Sequence, residues 1–236
     1  MLDKQQLGGM QLATERPVTT QPTAIQLITT QPIMQMVQET QSGEAPCWIY
    51  LPKYFLNDGA QLYNELSNTC AHYMIHLPRG DYVSKRRTCV FKDMAQADQI
   101  QPDAKARAFD YSDMPSFDWN SSPMVSAVRA HCEKMFGVRY THCLAHIYPT
   151  GEASIGWHFD AEALDSPVTS VSFGVTRKFR FRRIGTTKGW EDEFYLQSGD
   201  VLHMLPGCQR KYQHSVPVEK TIEGVRINLT LRIFST

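Results

Sequence analysis

Long apolar runs are missing from this chain of 236 residues. No stretch approaches the roughly 18 consecutive apolar residues of a membrane-spanning helix, so neither a spanning helix nor a membrane partner is expected. Net charge is missing as well: 24 Lys and Arg balance 24 Asp and Glu. A nucleic-acid partner would therefore have to be held by a local patch and not by a global field. Paired cysteines are absent, since Cys47, Cys70, Cys89, Cys132, Cys143 and Cys208 show no CxxC or other close spacing. That excludes a disulfide framework or a zinc knuckle and reads as reduced thiols, mostly small core residues, of an intracellular protein, nuclear or cytoplasmic. The opening MLDKQQLGGM has neither the basic flank and apolar stretch of a secretory signal nor the Arg-rich pattern of a transit peptide.

Residues 1–45 also lack aromatics. They hold nine Gln and seven Thr, with TTQP at Thr19 to Pro22 and again at Thr29 to Pro32. Such a segment buries too little apolar surface to offset its ordering entropy, and most of it is expected to be a flexible tail. Docking of the arm through Ile25, Leu27, Ile33, Met34 and Met36 is the competing reading. Residues 46–236 are the expected single domain, acting as a monomer.

Within that domain a first helix is predicted near Gly59 to Tyr73, with Leu62, Leu66 and Cys70 at four-residue spacing. A second has Ser121 or Ser122 as cap, Pro123 in its first turn, Val125, Val128, Cys132 and Met135 on one face, and Gly137 after its end. Beyond Gly137 come short strand-like runs, THCLAHIY, ASIGWHFD, VTSVSFGV, KFRFRR, DEFYLQ, DVLHML and VRINLTLRIF. This order predicts an α+β fold in which strands form a sandwich, jelly roll or barrel and the N-terminal helices cover one sheet.

His158 and Asp160 in GWHFDAE stand two apart at a strand end, so both project to one side. With His214 in QHSVP they could supply the two His and one carboxylate of a non-haem Fe(II) facial triad. HxD by itself is a weak signal. In VRINLTLRIF, Val225, Ile227, Leu229, Leu231 and Ile233 alternate with Arg226, Asn228, Thr230 and Arg232. A strand so apolar on one face belongs in the core, and its other face carries two guanidiniums into an interior where charges persist only if paired. A dianionic ligand gripped by two Arg forks is one solution. Pairing with Asp or Glu of the protein is the other.

Taken together, His158-Phe159-Asp160, His214 and Arg226 to Arg232 resemble the HxD…H…RxNxTxR signature of AlkB-type 2-oxoglutarate and Fe(II)-dependent dioxygenases. The similarity runs from about Trp48 to Phe234, through SKRRTCVFKD, DYSDMPSFDW, HIYPTGEASIGWHFDAE, SPVTSVSFGVTRKFRFRR and SGDVLHM in matching order. It implies a double-stranded β-helix, the jelly-roll class. It makes His158, Asp160 and His214 the iron ligands, pairs Arg226 with the distal carboxylate of 2-oxoglutarate, and puts Arg232 near the chelating carboxylate with Asn228 in support. Tyr148 matches the tyrosine of the family's NxY motif, whereas His146 stands where the family has Asn. The implied reaction uses Fe(II), O2 and 2-oxoglutarate to demethylate N-alkylated bases such as 1-methyladenine and 3-methylcytosine in DNA or RNA, releasing formaldehyde, succinate and CO2.

A methylated base edge is reached only in an unstacked nucleotide held between flat side chains. Phe109 and Tyr111 fall where related demethylases have base-contacting aromatics, with core packing as the competing explanation. Glu162 matches an acidic position that can meet an exocyclic amino group, against a solvated surface Glu. In KFRFRR the period of two sends Lys178, Arg180 and Arg182 outward, a row that could track phosphates or simply form a solvated sheet face. Arg177, Arg183 and Lys85 to Arg87 add to the basic concentrations. The same oxygenase chemistry on a protein side chain or small molecule is the alternative function; a non-enzymatic module is opposed by the complete signature.

Overall fold

The computed structural model describes residues 26–27 (backbone only), 47–56, 59–75, 80–95 and 114–234. Along the chain run strands β1 (Gln26–Leu27), β2 (Trp48–Leu51) and β3 (Phe55–Leu56), helix α1 (Ala60–Leu66), then β4 (Ala71–Ile75), β5 (Tyr82–Lys92) and β6 (Ser116–Asp118). Helix α2 (Pro123–Phe136) precedes β7 (His142–Tyr148), β8 (Ile155–His158), β9 (Val168–Gly174), β10 (Arg177–Arg183), β11 (Asp192–Leu196) and β12 (Val201–Met204). A short α3 (Cys208–Lys211), β13 (Tyr212–Val216) and β14 (Arg226–Arg232) complete the order. A major sheet runs β2-β12-β9-β14-β7-β5-β4, with β6 parallel to β5; a minor sheet runs β11-β10-β13-β8. β1 pairs antiparallel with β3, so the segment expected as a tail contributes one paired strand. Among the described residues no helix is long and apolar enough to cross a membrane.

The major sheet is two-faced because side chains alternate along each strand. Ile227, Leu229 and Leu231 of β14, Cys143, Ala145 and Ile147 of β7, and Cys89 and Phe91 of β5 share one core with Leu62 and Leu66 of α1 and Val125, Val128 and Cys132 of α2. Its opposite face meets the minor sheet through a second core, in which Phe179 and Phe181 of β10 lie with Trp48, Tyr148, Leu202 and Tyr212. Trp48 stacks on Phe181 with ring centroids 4.0 Å apart.

Helix α2 starts where the Ser122 hydroxyl accepts the Val125 N–H at 3.2 Å, and ends at Gly137, whose φ of 66° suits a residue without Cβ. Glu65 of α1 caps the same end, accepting the Met124 N–H at 3.1 Å. Helix α1 is shorter than the expected span to Tyr73. Thr69 Oγ1 turns back to the Leu66 carbonyl at 3.1 Å, and Ala71–Ile75 leaves the helix to pair with β5.

Arg177 also differs from expectation. Instead of joining a basic surface it is 1% exposed. It donates to the carbonyls of Thr150, Gly151, Ala153 and Pro217 and, at 2.9 Å, to Glu219.

His203 sits neutral between α2 and the sheet, stacked on Phe136 at 3.7 Å and hydrogen bonded to Thr169 at 2.7 Å. Burial pulls its pKa from 6.5 down to about 4, so the unfolded chain takes the proton first. Its contribution is therefore complete above pH 6.5 and is lost as pH falls through about 4, roughly 3 kcal/mol across that window. Denaturant unfolding at pH 7 and pH 4.5 should show His203→Gln losing less stability on acidification than the parent; equal losses would refute it.

Candidate active site

Strand β8 ends at His158, and its pairing with β13 sets His214 directly opposite. Asp160 follows in extended conformation. One ligand atom from each of the three lies within 4.8 Å of the others. His158 Nδ1 is 2.9 Å from the Gly156 carbonyl, to which it can only donate, so Nε2 keeps its lone pair. That Nε2 is 3.9 Å from Asp160 Oδ1, and His214 Nε2 is 3.9 Å from Asp160 Oδ2. Phe179 stacks on His214 at 5.3 Å. The Asp160 backbone N–H donates to Gln209 Oε1 at 2.9 Å, which fixes the carboxylate's approach.

Burial holds both imidazoles below their ordinary pKa. His214 lies well below it, with His158 and Arg232 pushing the same way; for His158 the Asp160 carboxylate opposes the shift. Asp160 Oδ2 is buried with no hydrogen-bond partner. Two neutral imidazoles and an under-satisfied carboxylate fit a divalent transition ion. Among the described residues this is the one group of three such side chains placed to hold a metal.

The facing wall comes from the polar side of the major sheet. Asn228 of β14 lies opposite His146 of β7, which lies opposite Thr88 of β5; one step along, Arg226 lies opposite Tyr148. Arg226 is 1% exposed and donates to Ser172 Oγ at 3.0 Å, while its Nε and Nη1 have no partner. Its guanidinium lies 4.9 Å from the Tyr148 ring centre. Asn228 Nδ2 donates to Ser170 Oγ at 2.8 Å and to the Val171 carbonyl, and Oδ1 accepts from Thr230. His146 Nδ1 is 2.9 Å from Thr88 Oγ1. Its pKa is held well below normal by burial, then by Arg86, Arg232 and Arg226.

Arg232, expected beside the carboxylate that chelates iron, lies next to the His158, Asp160 and His214 group and lines the same cavity as the two imidazoles. It donates to Asp160 Oδ1 at 2.9 Å and to Glu162. Glu162, expected toward a base, is thereby engaged inside the protein. A cavity of about 30 Å³ lies between the sheets, with His146, Tyr148, His158, His214, Arg232 and Arg86 in its wall. Arg86 was grouped with Lys85 and Arg87 as a surface cation, yet it is 4% exposed. The alternation of β5, with Ser84, Arg86 and Thr88 on one side, was the available signal.

On the outer face of the minor sheet the expected cations each lie against an aromatic ring. Lys178 is 5.7 Å from the Tyr195 ring centre, Arg180 is 3.7 Å from Trp190 and Arg182 is 4.4 Å from Trp157. Arg180 also pairs with Glu193 at 2.5 Å. Phe109 and Tyr111 lie outside the described residues.

The family described as "2OG-Fe(II) oxygenase superfamily" matches residues 49–232. An uncharacterized protein of Acanthamoeba polyphaga mimivirus is 31% identical over 115 residues, 47% of this chain and 59% of its own. "DNA oxidative demethylase ALKBH2" of Bos taurus is 33% identical over 119 residues, 47% of this chain and 43% of its own. "Alpha-ketoglutarate-dependent dioxygenase alkB homolog 3" of Homo sapiens is 29% identical over 128 residues, 50% and 44% of the two chains. The matches span about half the length of these curated relatives. The solved structure of OsALKBH1 has a TM-score of 0.53 at 20% identity and covers 80% of this chain and 98% of its own, a likeness of fold.

Removing Asp160 takes away the one carboxylate facing both imidazoles. Asp160→Ala should lower Mn(II) affinity at least about a hundredfold, read by titration calorimetry, with the far-UV spectrum retained. Unchanged affinity would place the metal elsewhere.

Proposed function

The chain belongs to the AlkB-like branch of the 2OG-Fe(II) oxygenase superfamily, and on that premise we propose that it oxidatively demethylates N-alkylated nucleobases, of the 1-methyladenine and 3-methylcytosine type, in DNA or RNA. The observation that carries this reading is the convergence of His158, Asp160 and His214 on one point, facing a sheet whose buried Arg226 has two unpartnered nitrogens. The name of the Bos taurus relative, a DNA oxidative demethylase, supports the substrate class.

His158, Asp160 and His214 would hold Fe(II), and Arg226, Tyr148, His146 and Asn228 would receive 2-oxoglutarate, with Arg232 near its chelating carboxylate. When bound, the iron with 2-oxoglutarate and O2 supplies the oxidation that hydroxylates an N-methyl carbon, with succinate and CO2 formed and the hydroxymethyl group leaving as formaldehyde. The chain's own contribution is positional. The Gly156 carbonyl keeps the His158 proton on Nδ1, so Nε2 stays free to ligate. Arg232 and Gln209 fix Asp160 from opposite sides, through its carboxylate and its backbone N–H. Arg232 is thus a positioning residue, with Glu162 holding its second arm.

For the nucleic acid, support comes from the cation and aromatic pairs of Lys178, Arg180 and Arg182 on the outer face of the minor sheet. A guanidinium stacked on one face of an indole leaves the other face for a base. Trp190 is 49% exposed, which leaves such a face open. Phe109 and Tyr111 are proposed as base contacts on the strength of the resemblance.

Incubation with Fe(II), ascorbate, 2-oxoglutarate and methylated DNA and RNA oligonucleotides should release formaldehyde and remove 14 Da per methyl by mass spectrometry, a mass set by loss of CH2. Succinate formed without any change in the oligonucleotides would move the substrate to a protein side chain or small molecule. Arg226→Met should raise the 2-oxoglutarate concentration needed for half-maximal turnover by about tenfold or more; an unaltered requirement would show that Arg226 serves only the fold.

A further inference from the structure

Arg226, the guanidinium proposed to hold the distal carboxylate of the cosubstrate, contributes nothing to the cavity wall formed by the described residues; Arg86 does. Arg87 pairs with Ile147, so Arg86 is level with Tyr148, which itself pairs with Arg226. The two guanidiniums therefore flank one phenol ring across three strands, at 5.6 and 4.9 Å from its centre. Each is anchored by Nη2, Arg86 to the Tyr73 hydroxyl at 2.6 Å and Arg226 to Ser172 at 3.0 Å. Each leaves Nε and Nη1 buried with no partner. A buried cation with two unsatisfied donors is costly unless something anionic completes it. Among the described residues neither guanidinium is paired with a carboxylate, whereas Arg232 and Arg177 are.

We propose that Arg86 is a second guanidinium for the carboxylate of the cosubstrate, received beside Tyr148 and shared with Arg226. The inference rests on the 2-oxoglutarate reading above and adds to it a residue on a different strand. An anionic oxygen facing Arg86 could also come from a phosphate of the nucleic acid, and the two sources differ in what the protein must bind to satisfy it.

The test is calorimetric binding to the Mn(II)-loaded full chain. The probes are 2-oxoglutarate, 2-oxobutanoate, which keeps the chelating end and lacks the distal carboxylate, and an unmethylated single-stranded oligonucleotide. Arg86→Met should weaken 2-oxoglutarate at least about tenfold and leave 2-oxobutanoate within about twofold. Tyr73→Phe, which frees the anchored nitrogen, should weaken 2-oxoglutarate by a smaller factor, about threefold. Should Arg86→Met fail to fold, Arg86→Lys carries the same comparison, with loss again confined to the dicarboxylate. Equal loss for both keto acids, or no loss for either, overturns the proposal. Loss of oligonucleotide affinity with 2-oxoglutarate unchanged overturns it in favour of the phosphate. If the unmodified chain binds neither keto acid, the cosubstrate reading itself fails.

Discussion

A strand with one greasy face and one cationic face cannot be placed just anywhere, and β14 is such a strand. Its Ile227, Leu229 and Leu231 must face the helices, which commits Arg226, Asn228, Thr230 and Arg232 to the space between the sheets. Charges there need partners, and the rest of the interior is arranged around that need. Ser170 and Ser172 of β9 and His146 and Tyr148 of β7 stand on the same side because the register with β14 puts them level with it. The minor sheet answers Arg232 with Asp160 at 2.9 Å. The two sheets are thus joined at the proposed metal site by an ion pair, and by aromatic packing around Trp48 and Phe181 elsewhere.

Burial alone does not distinguish an arginine whose donors the fold satisfies from one whose donors it leaves open. Arg177 and Arg226 are each 1% exposed. Arg177 is closed off by four carbonyls and Glu219, whereas Arg226 keeps two nitrogens unused. That difference lies in chain segments far apart in sequence, so no local pattern could carry it. What local pattern did carry was periodicity. The alternation of β14, the HxD spacing at the end of β8, and the cap and terminal glycine of α2 are all short-range features. Long-range competition accounts for the rest. Helix α1 stops at Leu66 because Ala71–Ile75 has a strand partner in β5, and Glu162 meets Arg232, a residue 70 positions away in sequence. Arg86 looked like one of three surface cations because its sequence neighbours Lys85 and Arg87 are basic; strand alternation separates it from both.

The zero net charge of the chain conceals a steep internal gradient. Among the buried and partly buried groups, Arg86, Arg226 and Arg232 outnumber the carboxylates Asp160 and Glu162, and both of those sit on Arg232. Outside, Lys178, Arg180 and Arg182 are sheathed by aromatic rings, with Glu193 on Arg180. A neutral protein can therefore offer an anion two different environments: desolvated and fork-like within, solvated and stacking without.

The buried cations also bear on the proposed metal site, through the protonation of its imidazoles. For His146, His158 and His214 burial is the largest influence, and Arg232 pushes the same way in all three; Arg86 does so for His146 and His158. An imidazole must be neutral to ligate, so the guanidiniums proposed to receive an anion would also help to keep the proposed ligands ready for a cation. Asp160 is held in the same place by an ion pair, with Arg232 Nη2 2.9 Å from its Oδ1. One arrangement of positive charge thus pairs with the carboxylate and favours the free-base form of the imidazoles. Those are the states that a divalent ion and a dicarboxylate require of their neighbours before either arrives.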